Sequence, residues 1–222
     1  MSAPFVVVSD FDGTITQHDM VVALTCHVEA GNRALVDRIN RRELDLKSGL
    51  TALFQTLPSR GRSAYETFLA ESATFRSGYH QFQHVLADAK IPFYIVSNGL
   101  DFMLDAVLGP KTENGPERMT NHALFDGDHI TIDWEYPCLP PCPGGCGLCK
   151  HKVVSELRDR HHAPVIFIGD GVTDVNGARL ADRVFARSHL AQYLEESGTA
   201  YTPFDTFDDV LAGLFQSTEV KA

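Results

Sequence analysis

Three short runs of the chain are apolar throughout instead of alternating: Phe5-Val6-Val7-Val8, Ile91-Pro92-Phe93-Tyr94-Ile95-Val96 and Val165-Ile166-Phe167-Ile168. A strand that is apolar on both sides has to be covered on both sides, which points to a parallel sheet between two layers of helix. The segments between these runs carry helical patterning. The expected class is therefore α/β, with a Rossmann-like parallel sheet as core. Sheets of this kind bind ligands outside the carboxyl ends of their strands. Those ends carry Asp10 and Asp12 after the first run, Ser97 after the second, and Asp170 with Asp174 after the third.

Residues 9–90 separate the first two runs, 82 in all and far more than the dozen or so a simple crossover needs. Leu46, Leu50, Leu53, Phe54 and Leu57 recur at helical spacing, as do Tyr65, Phe68, Leu69 and Ala73. A helical cap over 17–75 is expected, inserted after the first strand, with 1–16 and 76–222 forming the core. Further on, His122–Phe125 and His129–Trp134 flank Asp126-Gly127-Asp128, a hairpin signal. That hairpin and the cysteine-rich stretch after it read as a second, smaller insertion over about 120–149. Helices are expected at Phe102–Leu108, Lys150–Arg160, Val172–Ala181, Leu190–Ser197 and Phe207–Phe215, and a short strand at Arg183–Ala186.

Asp10 and Asp12 stand two apart on an extended chain, so both side chains point the same way, about 6.6 Å apart at about 3.3 Å per residue. Two like charges so placed call for a cation. Gly13 permits a sharp turn and Thr14 offers a hydroxyl. Asp170 and Asp174 are spaced i, i+4 and can face one point at a helix start. Carboxylates from two strand ends form a hard-oxygen site whose natural occupant is magnesium. Taken one at a time, each has a plainer reading: solvated acids at a strand end, helix N-terminal acids favoured by the dipole, a turn serine.

Asp10-Phe11-Asp12-Gly13-Thr14, Ser97-Asn98-Gly99, Lys150 and Gly169-Asp170-Gly171-Val172-Thr173-Asp174, in that order, resemble the four motifs of the haloacid dehalogenase superfamily of phosphatases. The resemblance implies that Asp10 is a nucleophile forming an aspartyl-phosphate and Asp12 a general acid and base. It implies magnesium held by Asp10, the main-chain carbonyl of Asp12, Asp170 and Asp174. Thr14, Ser97, Asn98, Gly99 and Lys150 would then bind the phosphoryl group, with Lys152 the plainer competitor of Lys150. Asn121-His122-Ala123, Ile132-Asp133-Trp134, Cys146-Gly147-Leu148-Cys149-Lys150 and Ala186-Arg187 are similar to the enol-phosphate phosphatases of methionine salvage. The cysteine loop is also shared with phosphatases of phosphocholine and phosphoethanolamine. Asn98 departs from the glycine expected there in the salvage enzymes.

Cys138, Cys142, Cys146 and Cys149 lie within twelve residues, among prolines and glycines that exclude a helix. Structural zinc, paired disulfides and reduced packing thiols all remain open readings. His18 and Asp19, where the chain leaves the strand end for the cap, are candidates for substrate contact, or simply mark a helix start. His122 and Trp134 read as structural, and Cys26 as core packing.

The formal charge of −10 and pI of about 5.4 argue against a nucleic-acid or anionic-membrane partner. No apolar run nears the roughly 20 residues of a membrane span, and Met1-Ser2-Ala3-Pro4 lacks the basic region of a signal peptide. A cytoplasmic phosphatase of a small phosphorylated metabolite is expected, with the salvage enol phosphate as substrate and phosphoserine, phosphocholine or phosphoethanolamine as the alternative. A non-catalytic metal-binding interaction protein and a phosphoryl-transfer mutase are the other readings.

Overall fold

In the computed structural model, which describes residues 3–113, 115–138 and 144–216, the first apolar run is a strand, Val6–Ser9 (β1), with every residue buried. Val7 pairs with Phe93 on one side and Ile166 on the other, so β1 is central and flanked by both other runs. Val6 and Val8 face one apolar layer and Val7 the other, as the two-residue alternation of a strand requires. Burying each such side chain contributes about 1.5–3 kcal/mol.

After β1 come four helices, Met20–Val28 (α1), Asn32–Asn40 (α2), Leu46–Phe54 (α3) and Arg62–Ser72 (α4). Asp19 caps α1 by accepting from Val22 N at 2.8 Å, and Asp45 caps α3 by accepting from Ser48 N at 2.9 Å. Each cap is worth about 1 kcal/mol. The helix Tyr79–Asp88 (α5) returns the chain to the strand Phe93–Leu100 (β2), which leads into Asp101–Leu108 (α6). The strands Glu117–Leu124 (β3) and Thr131–Asp133 (β4) follow, then the helix Lys150–His161 (α7) and the strand Val165–Gly169 (β5). The chain closes with Val175–Ala178 (α8), Arg183–Ala186 (β6), Ser188–Glu196 (α9), Thr202–Pro203 (β7) and Phe207–Gln216 (α10).

Among the described residues the sheet has seven strands in the order β4-β3-β2-β1-β5-β6-β7, parallel except for β4. The α/β class is as expected. Two details differ. The first hairpin strand begins five residues early, at Glu117, and pairs parallel with β2, so the hairpin extends the main sheet. The helix expected at Val172–Ala181 shortens to a 3-10 turn, Val172–Asp174, followed by α8. The cause is the Asp174 side chain, which reaches back to the N–H groups of Asp170 and Gly171.

The helical insertion leaves and rejoins the core at one neck. There Gln17 N donates to Thr74 O and Arg76 N to Ile15 O, both at 2.8 Å. A second attachment ties the insertion to the hairpin: Ser59 N donates to Asp128 O (2.9 Å) and Ile130 N to Leu57 O (3.0 Å). Leu50, Phe54, Leu57 and Leu69 share one apolar cluster with Phe11, Ile15, Leu104 and Ile130.

β2 bulges between Val96 and Leu100, where three of its residues stand against one of β3. The bulge turns Ser97-Asn98-Gly99 toward the carboxyl end of β1.

Candidate active site

The backbone of Asp10 still belongs to the sheet, its N–H donating to Ile168 O at 2.9 Å. The residue is 6% exposed, and its side chain bonds through Oδ1 to Lys150 Nζ at 2.5 Å. The same ammonium bonds Asp174 Oδ1 at 2.5 Å. Lys150 and Asp174 are also fully or almost fully buried. Oxygens of Asp10, Asp170 and Asp174 lie within 4.8 Å of one another, and these are the residues that form such a group among the described residues. Strand ends 160 residues apart in sequence thus meet at one point.

Burial is the main force pushing the Asp10 carboxyl well above the usual range, reinforced by the charges of Asp174 and Asp170. Asp170 is pushed up to about 6 by burial and by Asp174. Burial alone would lower the Lys150 ammonium, but Asp10 and Asp174 more than offset it, and its pKa is raised. Three carboxylates face one ammonium, so negative charge is left over. A hard-oxygen donor set carrying surplus negative charge fits a magnesium-like divalent cation.

Asp12 is held beside this cluster, not in it. Its Oδ1 accepts from Met20 N at 2.8 Å and its Oδ2 from Ser97 Oγ at 3.2 Å. Burial and the nearby charge of Asp19 raise it to about 7. Such a carboxyl can both hold and release a proton at neutral pH. Ser97 Oγ also accepts from Gly99 N at 2.9 Å, which fixes the bulge. Thr14 Oγ1 donates to Asp170 Oδ1 at 2.8 Å, and the Asn98 side chain turns to Leu148 N, also at 2.8 Å. His18 and Asp19 are exposed, and Asp19 is near enough for its charge to act on Asp12. Lys152 pairs loosely with Glu156 at 3.8 Å, outside the cluster.

Gly13 has φ +78°, and a β-carbon there would meet Asp170 Oδ2 at 2.5 Å. Gly13→Ala is expected to cost about 1–3 kcal/mol in strain and to displace Asp170. A displacement of about 1 Å lowers activity on the order of 100-fold. A phosphatase assay beside a thermal melt checks both; unchanged activity would show that Asp170 tolerates the shift.

Arg76 braces the site, and sequence reasoning missed it. It is 8% exposed and donates from Nε to Thr14 O (2.7 Å) and from Nη2 to Gly13 O (2.6 Å). Arg187, from the end of β6, reaches the same Gly13 carbonyl. The two cations hold the loop that carries Asp12 and Gly13.

Zinc finds no support. Among the described residues, Cys138, Cys146 and Cys149 do not form a ligand cluster, and Cys142 lies outside the described residues. The approach to Lys150 is held in part by main-chain bonding: Cys149 N donates to Tyr136 O at 2.8 Å.

Residues 7–179 match the family model of haloacid dehalogenase-like hydrolases. The chain belongs to this family. It is similar to proteins named 2-hydroxy-3-keto-5-methylthiopentenyl-1-phosphate phosphatase. The one from Bacillus pumilus is 36% identical over 97% of this chain and 93% of its own length. The one from Bacillus thuringiensis strain Al Hakam is 36% identical over 97% and 98%. In fold, the haloacid dehalogenase-like chain resembles a phospho-aspartyl intermediate analogue of phosphoserine phosphatase. That match has a TM-score of 0.72 at 15% identity, covering 96% of this chain and 99% of the other. It also resembles phosphoserine phosphatase from T. onnurineus, with a TM-score of 0.71 at 15% identity, covering 99% and 96%. Family and phosphatase relatives together make the chain a phosphoric monoester hydrolase. The non-catalytic reading falls with that. No helix among the described residues is long and apolar enough to cross a membrane.

Proposed function

We propose that this hydrolase removes phosphate from 2-hydroxy-3-keto-5-methylthiopentenyl-1-phosphate, with magnesium and through an aspartyl-phosphate. The observation that carries the chemistry is the convergence of Asp10, Asp170, Asp174 and Lys150 in one buried cluster, with Asp12 held alongside. The substrate rests on 36% identity along nearly the whole of both chains to phosphatases of that name.

With Oδ1 engaged by Lys150, Asp10 attacks phosphorus through Oδ2. The new oxygen–phosphorus bond forms as the ester oxygen–phosphorus bond breaks, and the departing oxygen takes the proton of Asp12. Water then attacks the aspartyl-phosphate, gives a proton to Asp12, and the Asp10–phosphorus bond breaks to release inorganic phosphate. Magnesium held by Asp10, the Asp12 carbonyl and Asp170, with Asp174 assisting, would supply charge neutralisation and polarise a phosphoryl oxygen. Lys150, bonded to Asp10, and Ser97, bonded to Asp12, are the donors that would stabilise the transferring group's charge. Residues 17–75 act as a cap over this site, with His18 and Asp19 at its entrance, excluding water and reading the substrate's tail.

The test is kcat/KM across the salvage enol phosphate, phosphoserine, phosphocholine and phosphoethanolamine, with and without a chelator. The enol phosphate is expected to lead by on the order of 100-fold, the scale of a pocket built for one tail. Preference for another phosphomonoester overturns the substrate, and full activity in chelator overturns the metal.

A further inference from the structure

Lys150 is the first residue of α7, so the loop before it decides where the ammonium sits. That loop is held from several directions. Leu148 N donates to Asn98 Oδ1 at 2.8 Å, and Cys149 N to Tyr136 O at 2.8 Å. Gly147, at φ +71°, is so close-packed that a β-carbon would meet the Trp134 ring at 2.7 Å and Asn98 Oδ1 at 2.9 Å. Two residues earlier, Gly145 O accepts from Lys47 N of α3 at 3.0 Å, and Lys47 Nζ stands 5.2 Å from the Trp134 ring centre. Five residues, 145–149, therefore join the helical insertion to the buried lysine.

We infer that Asn98 is a positioning residue for Lys150. Its neighbours Ser97 and Gly99 face Asp12. Its own side chain instead grips the main chain two residues before Lys150, through an acceptor that an aliphatic side chain lacks. Asn98 thereby sets Ser97 and Lys150, on separate strands and loops, at a fixed mutual distance. Without that bond the loop is governed by Tyr136 and by its tie to α3, and the lysine follows the insertion and not the sheet. The energetic scale is that of one largely buried hydrogen bond whose donor, on Leu148, is left without a partner.

The inference rests on Lys150 serving the reaction, so the test needs a readout besides activity. Cys149 supplies it: it is 3% exposed and adjacent to Lys150, whereas Cys26 is half-buried on α1. The experiment compares wild type, Asn98→Leu and Asn98→Asp for kcat, KM and alkylation of each native cysteine by iodoacetamide, mapped by mass spectrometry. Asn98→Leu is expected to lower kcat about tenfold while KM moves by no more than about twofold. Cys149 alkylation should accelerate about tenfold, as the loop loosens, with Cys26 unchanged. Asn98→Asp, which keeps an acceptor for Leu148 N, should restore the protection of Cys149. Wild-type kcat in Asn98→Leu overturns the inference. So does a fall in kcat with Cys149 still protected, and so does a parallel acceleration at Cys26 that marks general loosening of the fold. If Asn98→Leu unmasks Cys149 while Lys150 proves dispensable for hydrolysis, the proposed chemistry fails and not the contact.

Discussion

Asp10→Asn is expected to abolish hydrolysis of p-nitrophenyl phosphate and leave the protein no less stable. The amide matches the carboxylate in shape but cannot attack phosphorus. Loss of a covalent nucleophile lowers kcat by on the order of 10⁴-fold or more. The stability arm runs the other way. Burial, with Asp174 and Asp170 nearby, already drives the Asp10 carboxyl toward its neutral form. A neutral amide removes that repulsion, and Lys150 keeps Asp174 as partner. The melting temperature at pH 7 is expected to equal or exceed that of wild type. An acid-quenched turnover mixture should carry a phosphoryl group on the peptide containing Asp10 in wild type and not in the variant. Hydrolysis surviving the substitution would remove Asp10 as nucleophile, and a large loss of stability would show that its charge holds the site together.

The central sheet was legible because its evidence is local. Val6-Val7-Val8 and Val165–Ile168 are buried on both faces and read as such. The carboxylates were legible for a similar reason, since strand ends in this class converge. β3 was half hidden because Glu117 and Arg118 resemble the loop before them. Only pairing with Tyr94 and Ile95 makes them strand. β7 is two residues long and has no periodicity to show. Arg76 could not be found from sequence. Its role comes from carbonyls about 60 residues away, and an arginine at the end of a helical segment is by default a solvated one. The cysteines misled in the opposite direction. Their clustering suggested a metal, whereas the loop meets Lys150 through main-chain bonds that any residue type could make, together with one side chain, Asn98.

Lys150→Met is the harsher test of the cluster. It removes the one ammonium between Asp10 and Asp174 while keeping the volume and the aliphatic stem. Breaking a buried ion pair from one side costs about 3–5 kcal/mol, because the remaining charges stay buried. At about 2–4 °C per kcal/mol for a chain of this size, the melting temperature should fall by roughly 6–20 °C at pH 7. The pH dependence gives the cause. In wild type the raised Lys150 pKa means its contribution is fully present below the unfolded lysine value, about 10.4, and is lost only as pH rises past its folded value. Asp10 behaves oppositely to a salt-bridged acid. Its folded pKa is raised, so its neutral form favours folding below the unfolded carboxyl value of about 3.9, and that advantage is lost as pH climbs through the folded value. Without Lys150 nothing in the cluster offsets the ionised form. Asp170, raised to about 6, ionises between pH 5 and pH 8, so the gap between wild type and variant should widen across that range, and magnesium should narrow it at pH 8 by supplying the missing positive charge. Activity should fall on the order of 100–1000-fold, the scale for losing one preorganised donor to a developing charge. A gap that stays constant across that pH range would mean that Lys150 supports the fold by packing alone, and that the acids around it do not ionise within it.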